Sequence, residues 1–500
     1  MMPKRDRDMP RHEAALLALR GTTGHWWLQT EPGTTFAGAL EIDGLLVTLR
    51  LSLQSPGHPF DVTGEAIAAL YGVVDGVAVT LFECLVTAEK WRDIPSSGYS
   101  ARIVIRPSLV LIGHAHADPI GLYSRIGFST NEIRKVFRGH PLVQFEPTRD
   151  VEAMTLAPDS AVSSDELRRS RFGLIERANL NLFQTELQAI QGSLSFQFAA
   201  HHDFDRECGP SAAYEPRLVI NLEEPVSLNR LIRRARTATH LMSLLALTPN
   251  YALDLVVSGT GREPESWKLY QNGQRRTVEP SSLRDWQVLV RFPRDQQLLP
   301  RLWDRWFQTR DAHVVPRWIF QSSLEQGHRF DINRFLNVMQ CLEILTKDYA
   351  GGVLIDKAVF DRFCDGVEAE AGKHVEADAL AVMTRMLRQQ NRPPLAKRLR
   401  ALVSRLDEKV LRWLLGDELH ALDLAVKARN YFTHFGDLSA SKRELVETHL
   451  GLLTCKMSSL YVLLELDILG IPPAQYLSGP DVALPWMLEQ AAARHITAGA

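Results

Sequence analysis

The segment Arg429-Asn430-Tyr431-Phe432-Thr433-His434 sets an arginine and a histidine, with four residues between them, near the end of a helix-forming stretch. A planar guanidinium can grip phosphate oxygens and stabilise charge developing on them, and an imidazole can move a proton near neutral pH. That combination can cut RNA without a metal, by way of the RNA's own 2′-hydroxyl. Helical spacing complicates the picture. Leu419, Leu422 and Val426 lead to Arg429 along one apolar stripe, whereas Lys427, Asn430 and His434 make one polar face. Burying an unpaired guanidinium costs on the order of several kcal/mol, so Arg429 needs either a carboxylate or a cleft that holds an anion. Positions 429 and 434 stand about 140° apart on an ideal helix. They converge if the last turn is distorted, as nearby Gly436 permits, or if the site is shared with a second subunit. By spacing alone such a pair is far more often ordinary structure than a catalytic site.

The elements that must position these residues are helical. From Asp331 onward, Ile332, Phe335, Leu336, Met339, Leu342 and Leu345 form one apolar stripe at steps of three and four. Further helices are expected over 359–367, 379–389, 395–406, 415–433 and 444–469, separated by Gly351-Gly352, Pro393-Pro394 and Phe435-Gly436. Upstream the texture differs. Segments 39–42, 45–51, 77–82 and 102–105 are short and apolar or alternating, and Asp43-Gly44 and Asp75-Gly76 are turn dipeptides. Ser227 reads as the cap of a helix over 228–247, and 253–257 as a strand; Trp267, Trp286, Trp303, Trp306 and Trp318 read as core and contact residues.

The fold class expected is α+β multidomain: a β-rich N-terminal domain, a mixed middle region and an all-α C-terminal bundle. The corresponding boundaries are 1–225, 226–328 and 329–475, with a tail over 476–500. At 500 residues, 45% hydrophobic and 23% charged, the chain suits a folded protein of several domains. No apolar run is long enough to span a bilayer and the first residues are too polar for a signal peptide, so no membrane partner and a cytoplasmic location are expected. The five cysteines are scattered and suggest neither disulfides nor zinc, only buried thiols. A net charge of -2 means that nucleic acid would have to be held by local basic patches.

One such patch runs through Arg385, Arg388, Arg392, Lys397, Arg398, Arg400 and Arg405 without an intervening carboxylate. It reads equally as an RNA groove or as a solvated helical face. Arg230, Arg233, Arg234 and Arg236 form a second cluster, read as a domain-contact or surface face. Gly192-Ser193 with Asp203 and Asp205 imitates a nucleotidyltransferase site, but Leu194 to Phe198 alternates like a strand where a helix would be needed. His114, His116 and Asp118, or His201, His202 and Asp203, could be drawn as metal ligands; polar surface is the simpler reading, and no metal or cofactor is expected.

The arginine, polar residue, three further residues and histidine at the end of a penultimate bundle helix resemble the signature of the HEPN superfamily. Residues 331–469 resemble the HEPN domain of ApeA-type anti-phage defence proteins, including the stripe that contains Glu343. Gly24-His25-Trp26-Trp27-Leu28, Gly38-Ala39-Leu40, and Gly72 followed by Asp75 to Phe82 resemble the N-terminal domain paired with it. The resemblance implies a metal-independent endoribonuclease of abortive infection, with a site formed between two protomers. In it His434 transfers protons, Arg429 holds the scissile phosphate, Asn430 orients either, and Glu343 and Lys427 give possible support. RNA, a second copy of the chain and a phage-derived trigger are the implied partners, the trigger acting on residues 1–225. The alternative is a HEPN scaffold that dimerises and binds RNA or nucleotide without cutting it.

Overall fold

Alternation of apolar residues builds the first half of the chain into strands. The computed structural model describes residues 16–43, 46–53, 66–94, 98–113, 122–137, 181–205, 209–259, 266–273, 288–290, 292, 294–326, 331–347, 353–388, 391, 393–416, 419–434 and 440–472. They fall into two compact units, one within Met1–Thr239 and Asn250–Ser281, the other within His240–Pro249 and Ser282–Ala500.

The first unit carries one antiparallel sheet. Strands β1 (Thr23–Leu28), β2 (Glu31–Asp43), β3 (Leu46–Leu53), β4 (Ala66–Val74), β5 (Val77–Ile94) and β6 (Gly98–Arg106) close into a barrel, because β4 pairs with both β1 and β5. Beyond β5 the sheet continues through β7 (Leu109–Ile112), β13 (Ser266–Gln271), β12 (Leu253–Gly259), β8 (Leu122–Ser129), β11 (Gly209–Ser227), β10 (Gly192–Asp205) and β9 (Asn181–Leu187). Helix α1 (Ile133–Val136) is a single turn, and α2 (Leu228–Ala246) follows β11 directly at the expected Ser227. Asp75 and Gly76 both take positive φ, 50° and 76°, which is the two-residue turn whose twist matches the β4–β5 hairpin. Gly44 of the other turn dipeptide lies outside the described residues.

The tryptophan-glycine pattern near the N-terminus is barrel packing. Trp26 is fully buried and its indole Nε1 donates to the Gly38 carbonyl at 3.1 Å. Its six-membered ring lies over Gly72, where an added Cβ would stand 2.3 Å from Cε3. Leu40, Leu49, Leu70, Leu81 and Ile105 complete this core at or near zero exposure. Gly72 is therefore fixed by the ring above it.

Segment 226–328 does not hold together as one region. Strands β12 and β13 complete the sheet of the first unit, whereas α3 (Leu299–Gln308) and α4 (Arg310–Glu325) belong to the helical second unit. Long-range strand pairing decided this, and no local pattern carries it. The remaining helices are α5 (Ile332–Leu345), α6 (Lys357–Ala371), α7 (Ala377–Arg388), α8 (Leu395–Val403), α9 (Glu408–Leu415), α10 (His420–His434) and α11 (Ala440–Ile468). Asp331 caps α5 by accepting from the Arg334 amide at 2.9 Å. The expected helix over 415–433 starts later, at His420, and is preceded by α9, a separate helix outside the expected set that Gly416 ends at φ 80°. On α5, Phe335, Met339, Leu342 and Leu345 are buried as the stripe requires, but Ile332 in the first turn is exposed.

The second unit is organised around an ion pair. Glu465 of α11, fully buried, accepts from Arg317 Nε at 3.2 Å and Nη2 at 3.0 Å, and from the Tyr461 hydroxyl at 3.0 Å. His313 Nδ1 stands 3.5 Å from its other oxygen. Arg317 also donates to the Trp306 carbonyl and Thr309 Oγ1, and its guanidinium lies 3.5 Å above the Trp306 ring. Burial alone would raise the Glu465 carboxyl, but the Arg317 charge and His313 outweigh it and hold it below the ordinary value. Trp303 and Trp306 are core, as read; Trp318, one residue past Arg317, is 61% exposed, and Trp286 lies outside the described residues. Cys84, Cys341, Cys364 and Cys455 are buried free thiols, and Cys208 is outside the described set.

Two expectations follow. Gly72→Ala forces the Trp26 ring aside and should cost about 1–3 kcal/mol, against no more than about 0.5 kcal/mol for Gly33→Ala, which meets open space; calorimetric unfolding of both variants measures the contrast. Arg317→Met leaves a buried carboxylate without its cation and should cost about 3–5 kcal/mol. Because the Glu465 carboxyl is depressed in the fold, its contribution is complete above the unfolded carboxylate value of about 4.3. It is lost as pH falls through the lower folded value, so Arg317→Met should flatten the acid limb of stability against pH.

Candidate functional site

Arg429 leaves an apolar stripe, and the residues that receive it define the site. On α10, Ala421, Leu422, Ala425, Val426 and Ala428 are buried, and the stripe delivers Arg429 at the bundle edge with its side chain 23% exposed. There its Nη2 donates to Glu343 Oε2 of α5 at 2.8 Å, and its Nη1 to Asn430 Oδ1 at 3.2 Å. Glu343 is shared. Its Oε1 lies 3.5 Å from Arg398 Nη2 of α8, and Arg398 is fixed further by Nη1 to Thr346 Oγ1 at 2.7 Å and Nε to the Pro393 carbonyl at 3.0 Å. Two guanidiniums share one carboxylate at a partly open surface.

The wall behind the ion pair is aromatic. Phe432 meets the buried Phe335 of α5 edge-on at 6.2 Å and lies 5.2 Å from Tyr431, whose ring has the Arg443 guanidinium 5.5 Å above it. These contacts fix the turn of α10 on which Arg429 and Asn430 sit. Asn430 and Lys427 are exposed, on the polar face expected of them. The helix continues through position 434, so positions 429 and 434 remain about 140° apart around its axis. Residues 435–439, with Gly436, lie outside the described set.

The carboxylate-free basic run is rich in partners once folded. Arg388 pairs with Asp365 at 2.6 Å and Glu368 at 3.3 Å on α6, Arg400 with Asp423, Arg405 with Asp467 at 3.0 Å, and Arg398 with Glu343. Arg385 and Lys397 are exposed, and Arg392 is outside the described residues. The acids come from other helices, so no window of sequence around the run could show them. Sequence reasoning also missed Glu465 and Arg317; a lone carboxylate inside Leu463-Leu464-Glu465-Leu466 was the available signal, since such a group demands a buried cation.

The nucleotidyltransferase imitation ends in the sheet: Leu194, Phe196 and Phe198 are buried in β10, which opens at Gly192 as a strand. Among the described residues no three His, Cys, Asp or Glu side chains gather as a metal site, and no helix is long and apolar enough to cross a membrane. His114, His116 and Asp118 lie outside the described residues, and His201, His202 and Asp203 are placed on β10.

Comparison with known families gives two matches. Residues 21–306 match the model of ApeA N-terminal domain 1, and residues 336–473 match that of the Apea-like HEPN domain. No curated protein and no solved structure matches significantly. The first match spans more than half of the chain and contains the Trp26–Gly72 barrel, the second spans Glu343, Arg429 and position 434, and the chain therefore belongs to the ApeA-like family, an ApeA N-terminal domain followed by an Apea-like HEPN domain.

Proposed function

We propose that this chain is a metal-independent endoribonuclease of the HEPN type acting in anti-phage defence. The observation that carries the reading is the Arg429–Glu343 ion pair at 2.8 Å. It aims a partly exposed guanidinium outward from the helix whose last residue is His434. In the proposed reaction the RNA 2′-oxygen bonds to phosphorus and the bond from phosphorus to the 5′-oxygen breaks, leaving a cyclic phosphate and a 5′-hydroxyl. His434 takes the 2′-proton or supplies one to the leaving oxygen, Arg429 holds the phosphate oxygens, and Asn430 keeps the guanidinium oriented. Glu343 is then a positioning residue.

Single alanine variants at Arg429 or His434 should lower cleavage of a labelled RNA in EDTA by about 10²–10⁴-fold and abolish protection of cells against phage. The ion pair would equally serve a scaffold that binds RNA without cutting it. Intact RNA after incubation with the wild-type chain, under conditions where it binds, would decide for the scaffold.

Positions about 140° apart on one helix are brought to a common phosphate most simply by two copies of the chain. The face we assign to the second copy is that of α6 and α7, where Phe363, Val359, Met383 and Met386 are 46–58% exposed and no residue of α7 is buried. Phe363→Asp with Met386→Asp should convert a dimer to monomer in analytical ultracentrifugation and take the nuclease activity with it. A double variant that stays dimeric would remove this face from the proposal.

A further inference from the structure

The second arginine cluster lines a groove that the nuclease reading does not use. Strand β5 pairs with β7 through Phe82 and with β6 from Leu85 onward, so residues 83–84 lie where it exchanges partners. Glu83 takes φ 49°, a left-handed conformation that a non-glycine residue holds at a cost. The link from β6 to β7 crosses at this point: the Ser108 amide donates to the Phe82 and Glu83 carbonyls, and its hydroxyl to Glu83. Asn272 pins the floor, donating to the Val47 and Pro107 carbonyls and accepting from the Val47 amide at 2.7 Å. The junction is a built feature, since each of these bonds joins segments far apart in sequence.

Above it opens a cleft of 590 Å³, a volume that suits a small ligand. One face of α2 forms a wall, with Asn229, Ile232, Arg233 and Arg236 at steps of three and four, and Arg106 faces in from the end of β6. Asn229 Nδ2 donates to Glu83 Oε1 at 2.7 Å, so the lining sets one carboxylate, held by a neutral amide, against three arginines. Arg106, Arg233 and Arg236 have no carboxylate partner among the described residues. That is the reverse of the basic run in the bundle, where Arg388, Arg398, Arg400 and Arg405 are all paired. The same groove exposes Leu46 and Leu85, 51% and 45% accessible, beside the cations.

We infer that this groove in the N-terminal unit binds a nucleotide, as a free molecule or as part of an oligonucleotide. Arg106, Arg233 and Arg236 receive the phosphates, and Leu46 and Leu85 receive a flat, weakly polar base. Arginine forks match phosphate oxygens, a base needs an apolar face, and an acidic peptide alone would leave the leucines without a function. The inference stands independently of RNA cleavage by the bundle.

Isothermal titration of the full chain with ADP, with inorganic pyrophosphate and with a 2′-O-methyl decanucleotide, which a 2′-hydroxyl mechanism cannot cut, tests it. ADP or the decanucleotide should bind, and Arg233→Glu with Arg236→Glu, both on exposed side chains, should weaken that binding about tenfold or more. Leu85→Ser should weaken ADP more than pyrophosphate, which separates the base subsite from the phosphate subsite. Preference for ADP assigns a free nucleotide, and preference for the decanucleotide assigns a strand. Binding of none of the three, equal affinity in the arginine variant with an unchanged melting temperature, or tighter binding of a glutamate decapeptide would each overturn the inference.

Discussion

A guanidinium taken out of water must find a carboxylate, and the helical unit is arranged around that requirement. Arg317 and Glu465 satisfy it at the centre, where both groups are buried and the remaining lone pairs and protons are taken by Tyr461, Thr309 and the Trp306 carbonyl. The interaction joins α4 to α11, so the helices just before and at the end of the bundle are held in one register. Closer to the surface Glu343 repeats the arrangement with Arg398 and Arg429, joining α5, α8 and α10. The difference between the two is access to water. The central pair is saturated and sealed, whereas the peripheral carboxylate is shared by two cations and leaves one of them partly open.

The barrel of the first unit rests on steric constraint in place of charge. The Trp26 ring occupies the space a side chain at Gly72 would need, and its one polar atom is satisfied by the Gly38 carbonyl. A large ring, a missing Cβ and a hydrogen bond together fix how β1, β2 and β4 meet, and closure of β4 on β5 follows from the two-residue turn at Asp75-Gly76. At Glu83 the same strand β5 departs from β7, which carries the sheet onward, and takes the barrel strand β6 as its partner from Leu85. That departure makes the groove lined by Arg106, Arg233 and Arg236.

Local signals were legible wherever they act over a few residues. Asp331 and Ser227 mark helix starts correctly, because a short acceptor side chain or a break in strand pattern needs only its neighbours. Helix α9, which Gly416 ends, was not legible, because eight residues show too little of an apolar period. The stripe on α10 pointed to Arg429 as a charge in need of a partner, and Glu343 was at hand as a candidate. The two basic clusters were read on charge pattern alone, the run in the bundle equally as an RNA groove or a solvated face and the cluster on α2 as a domain-contact or surface face. The run in the bundle looked free because its acids lie on α5, α6, α10 and α11, and the cluster on α2 looked like mere surface because its groove is made by strands more than a hundred residues earlier in the chain.

The sequence by itself determined the element types, the glycine and tryptophan pattern of the barrel, and the presence of an arginine and a histidine on the helix that closes the proposed site. Each depends on spacing within one segment, which backbone geometry converts directly into a face or a turn. Tertiary structure decided which cations are neutralised, where the two units divide, and that β12 and β13 belong with strands far earlier in the chain. Those outcomes depend on which distant segments meet, and the free energy of a charge is set by what surrounds it after folding.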